Sequence, residues 1–163
     1  SGIAAPAVTY ELDGQQYLTV ATGWGTAFAL AAGFAFDRTV PPALGRVITF
    51  KLGAMGSIPD PELPFVEKTP KAPAFGTAAM VEAGMTHYSR NCSVCHGPLG
   101  ISSGVLPDLR WSGVTADREL WADVVLKGSL RDNGMVSFAR QLSPADAEAV
   151  RAYILAQAHK EMS

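Results

Sequence analysis

The chain has 163 residues, of which 48% are hydrophobic, and its formal net charge is −2 at neutral pH. This composition is typical of globular protein of one domain or slightly more, and the lack of a basic excess argues against a nucleic-acid partner. The chain has only two cysteines, and both lie in one short motif, so no structural disulfide is expected.

The first half of the chain is β in character. Two stretches with alternating side chains, Val8–Leu12 and Gln16–Val20, flank Asp13-Gly14. This dipeptide tolerates the positive φ angles of a type I′ turn and so predicts a β-hairpin. Gly45–Leu52 predicts one further strand. Because a few strands alone are marginal in water, residues 1–52 are interpreted as the end of a sheet that begins elsewhere.

Residues 18–36 carry no charge and are about as long as a membrane span. Glycines and threonines interrupt the stretch, and its first residues belong to the predicted hairpin, which favours buried strand and loop over a membrane anchor. The chain begins without the basic segment and apolar core of a signal peptide. We therefore expect a mature form or a piece of a longer protein.

Residues 53–77 form a predicted linker, because five prolines remove backbone donors and favour extended chain. The second half of the chain is helical in pattern. Thr77 is the expected N-cap of a helix from Ala78, and Thr115 that of a second helix that stops at Gly128. Ser143-Pro144-Ala145-Asp146 predicts the start of a third. The inward stripe expected for this last helix is Ala147, Val150, Ile154 and Ala158, with Tyr153 beside it.

The sequence Cys92-Ser93-Val94-Cys95-His96 predicts a covalent haem attachment site. In a C-x-x-C-H motif the two thiols form thioethers with the haem vinyl groups, and the histidine faces the iron. A zinc site would need a second pair of ligands, and a thioredoxin-like site would need a βαβ context. Haem attachment of this kind takes place outside the cytoplasmic membrane, so the motif also predicts a periplasmic location.

The second axial position is assigned to Met135, which lies between the second and third predicted helices, where the chain can reach the distal face of the haem. His/Met ligation favours electron transfer over oxygen chemistry. Met80 and Met85 precede the motif on its own helix, and His87 and His159 are expected to be surface residues.

Three further residues are expected to surround the haem. The Pro107 carbonyl is a candidate acceptor for the Nδ1–H of His96, which would fix the imidazole ring, although an ordinary turn proline is an equal alternative. Arg110 and Trp111 could donate to a haem propionate, and Arg110 could equally be a surface charge.

The helical half resembles a class I cytochrome c domain, and the whole chain resembles the C-terminal part of a quinohaemoprotein alcohol dehydrogenase. The predicted fold is therefore mostly α, with a cytochrome c domain at 78–163 preceded by a few β-strands that resemble the last blade of an eight-bladed propeller. The segments that carry the resemblance are Val8–Tyr17, Gly23-Trp24-Gly25, Gly84, Tyr88, Cys92–Gly97, Gly104–Arg110, Gly134–Phe138 and Tyr153.

The resemblance implies a function. In that family, pyrroloquinoline quinone (PQQ) in the propeller oxidises an alcohol with the help of calcium and an aspartate base. The haem then passes electrons singly to a blue copper protein, a cytochrome or a quinone-linked subunit. Trp24 matches a segment near the quinone, and packing is an equal alternative for this residue. The calcium ligands and the aspartate base have no counterpart in these 163 residues, so the chain alone should not oxidise alcohols.

Two other functions remain open at this stage. The first is a free-standing or membrane-anchored monohaem cytochrome c that carries electrons. The second is a haem sensor with an open sixth position, against which Met135 argues.

Overall fold

The computed structural model describes residues 3, 5–23, 45–59, 67–102 and 106–160. Strands occur in the first third of the chain and helices in the second half. The strands β1 (Val8–Leu12), β2 (Gln15–Thr22) and β3 (Arg46–Lys51) form one antiparallel sheet in the order β1-β2-β3.

The hairpin between β1 and β2 confirms the predicted turn. Asp13 and Gly14 both have positive φ, 51° and 71°, as a type I′ turn requires. Tyr10 pairs with Tyr17 across the strands, and their rings stack with centroids 5.4 Å apart. The predicted strands are confirmed, with β2 extending two residues beyond Val20.

Most side chains of this sheet are exposed. Val20 is the buried hydrophobic residue among the described strand residues, whereas Val8, Val47 and Phe50 are each at least half exposed. Residues 18–22 of the uncharged stretch lie in β2, and residues 24–36 fall outside the described part of the chain. None of the described helices is long and apolar enough to cross a membrane.

The last residues of the linker lie against the C-terminal helix. The guanidinium carbon of Arg151 lies 4.3 Å from the ring centroid of Phe75, a cation–π contact. Nε2 of His159 is 3.0 Å from the Ala72 carbonyl oxygen. The described residues between 53 and 77 form no helix or strand, as the prolines predict.

Four helices follow in the described part of the chain. α1 (Ala78–Asn91) leads into the short α2 (Ser93–His96), and α3 (Arg118–Ala122) continues as a π-helical turn, Asp123–Lys127. α4 spans Pro144–Lys160. Between α2 and α3 the chain forms three 3₁₀ turns, and a fourth, Arg131–Asn133, precedes the loop before α4.

α4 is the centre of the helical part. Its predicted inward stripe is confirmed, but burial extends around most of the helix and includes Leu155 and Arg151. The cost of burying the Arg151 charge is offset by three hydrogen bonds, since its guanidinium donates two to Glu148 and one to the Thr115 carbonyl. The start of α4 is a capping box, because Ser143 Oγ accepts from the Asp146 N–H while Asp146 accepts from the Ser143 N–H.

The predicted start of the second helix was wrong. Asp117, not Thr115, caps α3, since its carboxylate accepts from the N–H groups of Glu119 and Leu120 at 2.8 and 2.9 Å. Thr115 is buried in a 3₁₀ turn and donates its hydroxyl to the Ser112 carbonyl. Aspartate at position 117 satisfies two N–H groups at once, so the helix begins there. The stop at Gly128 is confirmed, with φ at 71°.

α1 and α4 cross at Gly84. A Cβ atom at this position would lie 2.0 Å from the Ala149 carbonyl oxygen and 3.0 Å from Tyr153 Cβ. The crossing therefore requires glycine. Beside it, the buried rings of Tyr88 and Tyr153 meet at 5.3 Å.

We expect Gly84→Ala to lower the free energy of unfolding by roughly 1–3 kcal/mol or more, because the backbone of α4 must move to admit a methyl group. Denaturant unfolding monitored by circular dichroism measures the change. Gly113→Ala is the matched control, since a Cβ there meets nothing within 4 Å. Equal stability of the two variants would contradict the close crossing.

Candidate functional site

The C-x-x-C-H motif begins where α1 ends. Cys92 is the C-cap residue of α1 and donates its N–H to the Tyr88 carbonyl, 2.8 Å away. The next turn is closed by the His96 N–H, which donates to the Cys92 carbonyl at 2.9 Å. Cys92 is buried and Cys95 is exposed, so the two sulfurs of the motif face different environments.

The two thiols have no further metal-ligating side chains grouped with them in the described part of the chain. Among the described residues, no group of three or more cysteine, histidine or acidic side chains could hold a metal ion. Burial raises the pKa of Cys92 to about 12, so a free thiol there is protonated at neutral pH and is a poor nucleophile. Both observations argue against the zinc and thioredoxin-like alternatives.

His96 is buried, with 8% of its surface exposed. Its Nδ1 lies 3.2 Å from the Pro107 carbonyl oxygen. Because a carbonyl can only accept, this contact assigns the proton to Nδ1 and leaves Nε2 with a free lone pair. Burial lowers the pKa of His96, so the ring is neutral at physiological pH, as a metal ligand must be.

The residues just after His96 are tightly held. The buried Tyr88 hydroxyl donates to the Gly97 carbonyl at 2.7 Å, and burial raises the pKa of Tyr88 well above its ordinary value. Gly97 has a φ of 77°, and a Cβ there would lie 2.0 Å from the Ile101 carbonyl oxygen. A glycine is thus required where the chain turns away from the histidine.

Pro107 is followed by an ion pair between the half-buried Asp108 and the buried Arg110. Asp108 Oδ2 accepts from Arg110 Nη2 at 2.6 Å, and Asp108 Oδ1 accepts from Arg110 Nε at 3.0 Å. Two of the guanidinium N–H groups are therefore directed at a carboxylate of this chain. The Arg110 side chain is 5% exposed, which excludes the alternative of a solvated surface charge.

Trp111 is buried beside this pair. The guanidinium carbon of Arg110 lies 5.0 Å from its ring centroid. The indole Nε1–H has no hydrogen-bond partner among the described residues. An unpaired buried donor is costly, so this N–H is suited to an acceptor supplied by a bound group.

Met135 lies in the loop between the π-helical turn and α4. Its N–H donates to the Leu130 carbonyl at 3.2 Å, and the Phe138 N–H donates to the Val125 carbonyl at 2.8 Å. The Met135 side chain is half-buried and packs on the core cluster around Tyr88 and Trp121.

The other described methionines are placed differently. The sulfur of Met80 lies against Gly76, where a Cβ would be 2.9 Å away, and Met55 is 99% exposed.

Nε2 of His87 is 3.2 Å from Asp146, and Nε2 of His159 is 3.0 Å from the Ala72 carbonyl oxygen in the linker. Trp24 falls outside the described residues.

Sequence reasoning missed the roles of two side chains here. Asp108 was interpreted only as a neighbour of Pro107, although aspartate is a common N-cap residue, and here its side chain accepts from the backbone N–H of Arg110. The Tyr88 hydroxyl bond to Gly97 joins residues nine apart and has no local sequence signal.

Comparison with known proteins identifies related chains. Residues 79–154 match the family model described as cytochrome c oxidase, cbb3-type, subunit III. Over its length the chain is 36% identical to quinohemoprotein alcohol dehydrogenase ADH IIB of Pseudomonas putida, covering 99% of this chain and 23% of that protein. It is 38% identical to the dehydrogenase subunit of alcohol dehydrogenase (quinone) from Gluconobacter oxydans, covering 98% of this chain and 21% of that protein.

Solved structures agree with these matches. The structure of quinohemoprotein alcohol dehydrogenase ADHIIG from Pseudomonas putida HK5 matches 99% of this chain and 23% of its own, with a TM-score of 0.80 and 37% identity. The enzyme from Comamonas testosteroni matches 98% of this chain and 22% of its own, with a TM-score of 0.63 and 32% identity. The predicted fold class, a mostly α cytochrome c domain preceded by a few strands, is confirmed, and such a domain implies haem.

Proposed function

We propose that this chain, which corresponds to the C-terminal cytochrome part of quinohaemoprotein alcohol dehydrogenases, is the electron outlet of such an enzyme. A covalently bound haem c would receive electrons one at a time from reduced PQQ in a propeller domain and pass them to an external acceptor. The chain spans 21–23% of the length of the curated relatives described above, so the propeller, on the same or a separate chain, would supply the alcohol-oxidising site with its PQQ and calcium.

The observation that carries the proposal is the state of His96. The ring is buried, neutral and held through Nδ1, so its Nε2 is prepared as the proximal ligand of a haem iron. When bound, the haem supplies a centre that gains and loses a single electron. Cys92 and Cys95 would hold the porphyrin through thioether bonds, which their free thiol sulfurs would form with the haem vinyl groups.

Met135 is proposed as the second axial ligand. It is half-buried on the core cluster, whereas the Met80 sulfur packs on Gly76 and Met55 is fully in solvent. The main-chain hydrogen bonds on both sides of Met135 fix its loop, which supports a defined position for the thioether.

Trp111 is proposed to donate its buried, unpaired N–H to a haem propionate. A propionate carboxylate would supply the acceptor that this N–H lacks. Because the carboxylate is charged, the hydrogen bond would be stronger than one between neutral groups. Arg110 would contribute its charge to the haem environment from within its pair with Asp108. Trp24 stays a proposed neighbour of the quinone in the propeller.

The three strands support a propeller partner. Apolar side chains on all three strands are exposed, including Val8, Leu18 and Phe50. A sheet with exposed apolar residues is suited to packing on further strands, and β1 and β3 are its outer strands among the described residues. We propose that the preceding blades of the propeller cover it, and that the enzyme works in the periplasm with a blue copper protein, a cytochrome or a quinone-linked subunit as acceptor.

The proposed route of electrons is tested with the haem-loaded protein. A primary alcohol should reduce the haem when this chain is joined to, or mixed with, its PQQ-loaded propeller. The 163-residue chain alone should be reduced by ascorbate and not by alcohol. Absorbance in the α-band measures both. A PQQ-loaded complex that oxidises alcohol while its haem stays oxidised would contradict the outlet and favour an independent carrier.

Met135→Ala should abolish the far-red charge-transfer band of sulfur-ligated ferric haem and lower the midpoint potential, because the iron loses its thioether ligand. Absorption spectroscopy and redox titration measure these changes. Met55→Ala and Met80→Ala are the controls and should keep the band. If the band survives in Met135→Ala, another residue is the ligand.

Trp111→Phe should lower the midpoint potential, because a propionate without its donor keeps more negative charge beside the iron. Trp121→Phe is the matched control, since the Trp121 Nε1–H is already bonded to the Ala147 carbonyl at 2.7 Å. That variant should lose roughly 1–3 kcal/mol of stability and leave the potential unchanged. An unchanged potential in Trp111→Phe would refute the propionate contact.

A further inference from the structure

The carbonyl that holds His96 belongs to an irregular part of the chain. Pro107 lies in neither a helix nor a strand, and its oxygen is 3.2 Å from His96 Nδ1. That distance is at the long end of the range for an N–H···O hydrogen bond, so a small displacement would break it. The position of the Pro107 oxygen therefore has to be fixed by its neighbours.

Asp108 is the neighbour that can fix it. The Pro107 carbonyl and the Asp108 N–H belong to one planar peptide group, so a rotation at Asp108 moves the oxygen. The Asp108 carboxylate accepts three N–H groups of Arg110: the backbone N–H at 3.1 Å, Nε at 3.0 Å and Nη2 at 2.6 Å. A two-point guanidinium–carboxylate pair fixes orientation as well as distance.

Arg110 is in turn held against the turn that follows His96. A Cβ atom at Gly100 would lie 3.2 Å from Arg110 Cγ, so the arginine stem packs directly over that glycine. Its guanidinium carbon is 5.0 Å from the Trp111 ring centroid. The contacts thus form a closed ring that runs from His96 along the chain to Gly100, across to Arg110 and Asp108, and back through Pro107.

We propose that Asp108, clamped by Arg110, is a positioning residue that sets the orientation of the His96 ring and, through it, the reduction potential of the haem. The proposal rests on the electron-transfer function proposed above. Neither residue needs to touch the iron, because the carbonyl of Pro107 transmits the constraint. The Arg110 side chain is 5% exposed and the Asp108 side chain 20% exposed, so the pair is largely shielded from solvent.

Asp108→Asn in the haem-loaded protein is the first test. Asparagine keeps the capping acceptor but loses the charge that holds the guanidinium. A freed carbonyl weakens the His96 Nδ1–H bond, which makes the ring a weaker donor and favours ferrous iron. We expect the oxidised-to-reduced ratio at the wild-type midpoint potential to fall about tenfold, an upward shift of about 59 mV for one electron.

The double variant Asp108→Asn/Arg110→Met separates position from charge. It restores the local net charge and leaves no unpaired guanidinium in the buried position of Arg110, so this variant can be measured if the single variant does not fold. Ring orientation is read from the EPR g values of the low-spin ferric haem. We expect both variants to show g values displaced from those of the wild type.

Asp117→Asn is the matched control, because the Asp117 carboxylate also caps a helical turn by accepting backbone N–H groups but has no arginine partner in the described structure. Its potential and g values should equal those of the wild type. Wild-type g values in both Asp108 variants would overturn the proposal. A wild-type protein without a low-spin His/Met spectrum would instead refute the proposed ligation, whatever the variants do.

Discussion

The crossing of α1 and α4 at Gly84 is the contact on which the rest of the helical structure depends. The backbone of α4 comes so close that no side chain fits between the helices. Tyr88 and Tyr153 meet one turn further along, and the Tyr88 hydroxyl reaches the carbonyl next to His96. Because α1 ends directly at the C-x-x-C-H motif, the packing of α1 on α4 also determines where the His96 ring lies.

The surroundings of His96 are polar in composition but nearly neutral in charge. The imidazole is neutral, the buried thiol is neutral, and the Asp108 carboxylate is paired with the Arg110 guanidinium. Fixed dipoles remain: the Pro107 carbonyl, the Tyr88 hydroxyl and the Trp111 indole N–H. Because backbone turns and side-chain packing already orient these polar groups, a change of one charge at such a site requires little movement of them.

Much of this arrangement could be predicted from local patterns. The type I′ turn and the capping box before α4 have signatures of four residues or fewer, and each predicted the element that the structure contains. The haem site that the C-x-x-C-H motif predicts stays a prediction. The start of α3 was misplaced because Thr115 and Asp117 are both good capping residues, and tertiary burial of Thr115 decided between them. The Asp108–Arg110 clamp and the Tyr88–Gly97 bond depend on how turns pack, which no short pattern specifies.

The attachment of the linker to α4 has a consequence for the speed of encounter between the two halves of the chain. Ala72 and Phe75 are bound to α4, and at the other end of the linker the Pro59 carbonyl accepts a hydrogen bond from Arg46 of β3 at 2.9 Å. A fully extended chain between Pro59 and Ala72 would span at most roughly 45 Å at 3.3–3.6 Å per residue. The effective concentration of the helical half around a redox group carried with the strands would therefore be on the order of millimolar. This value holds even before any contact forms between the strands and the helices.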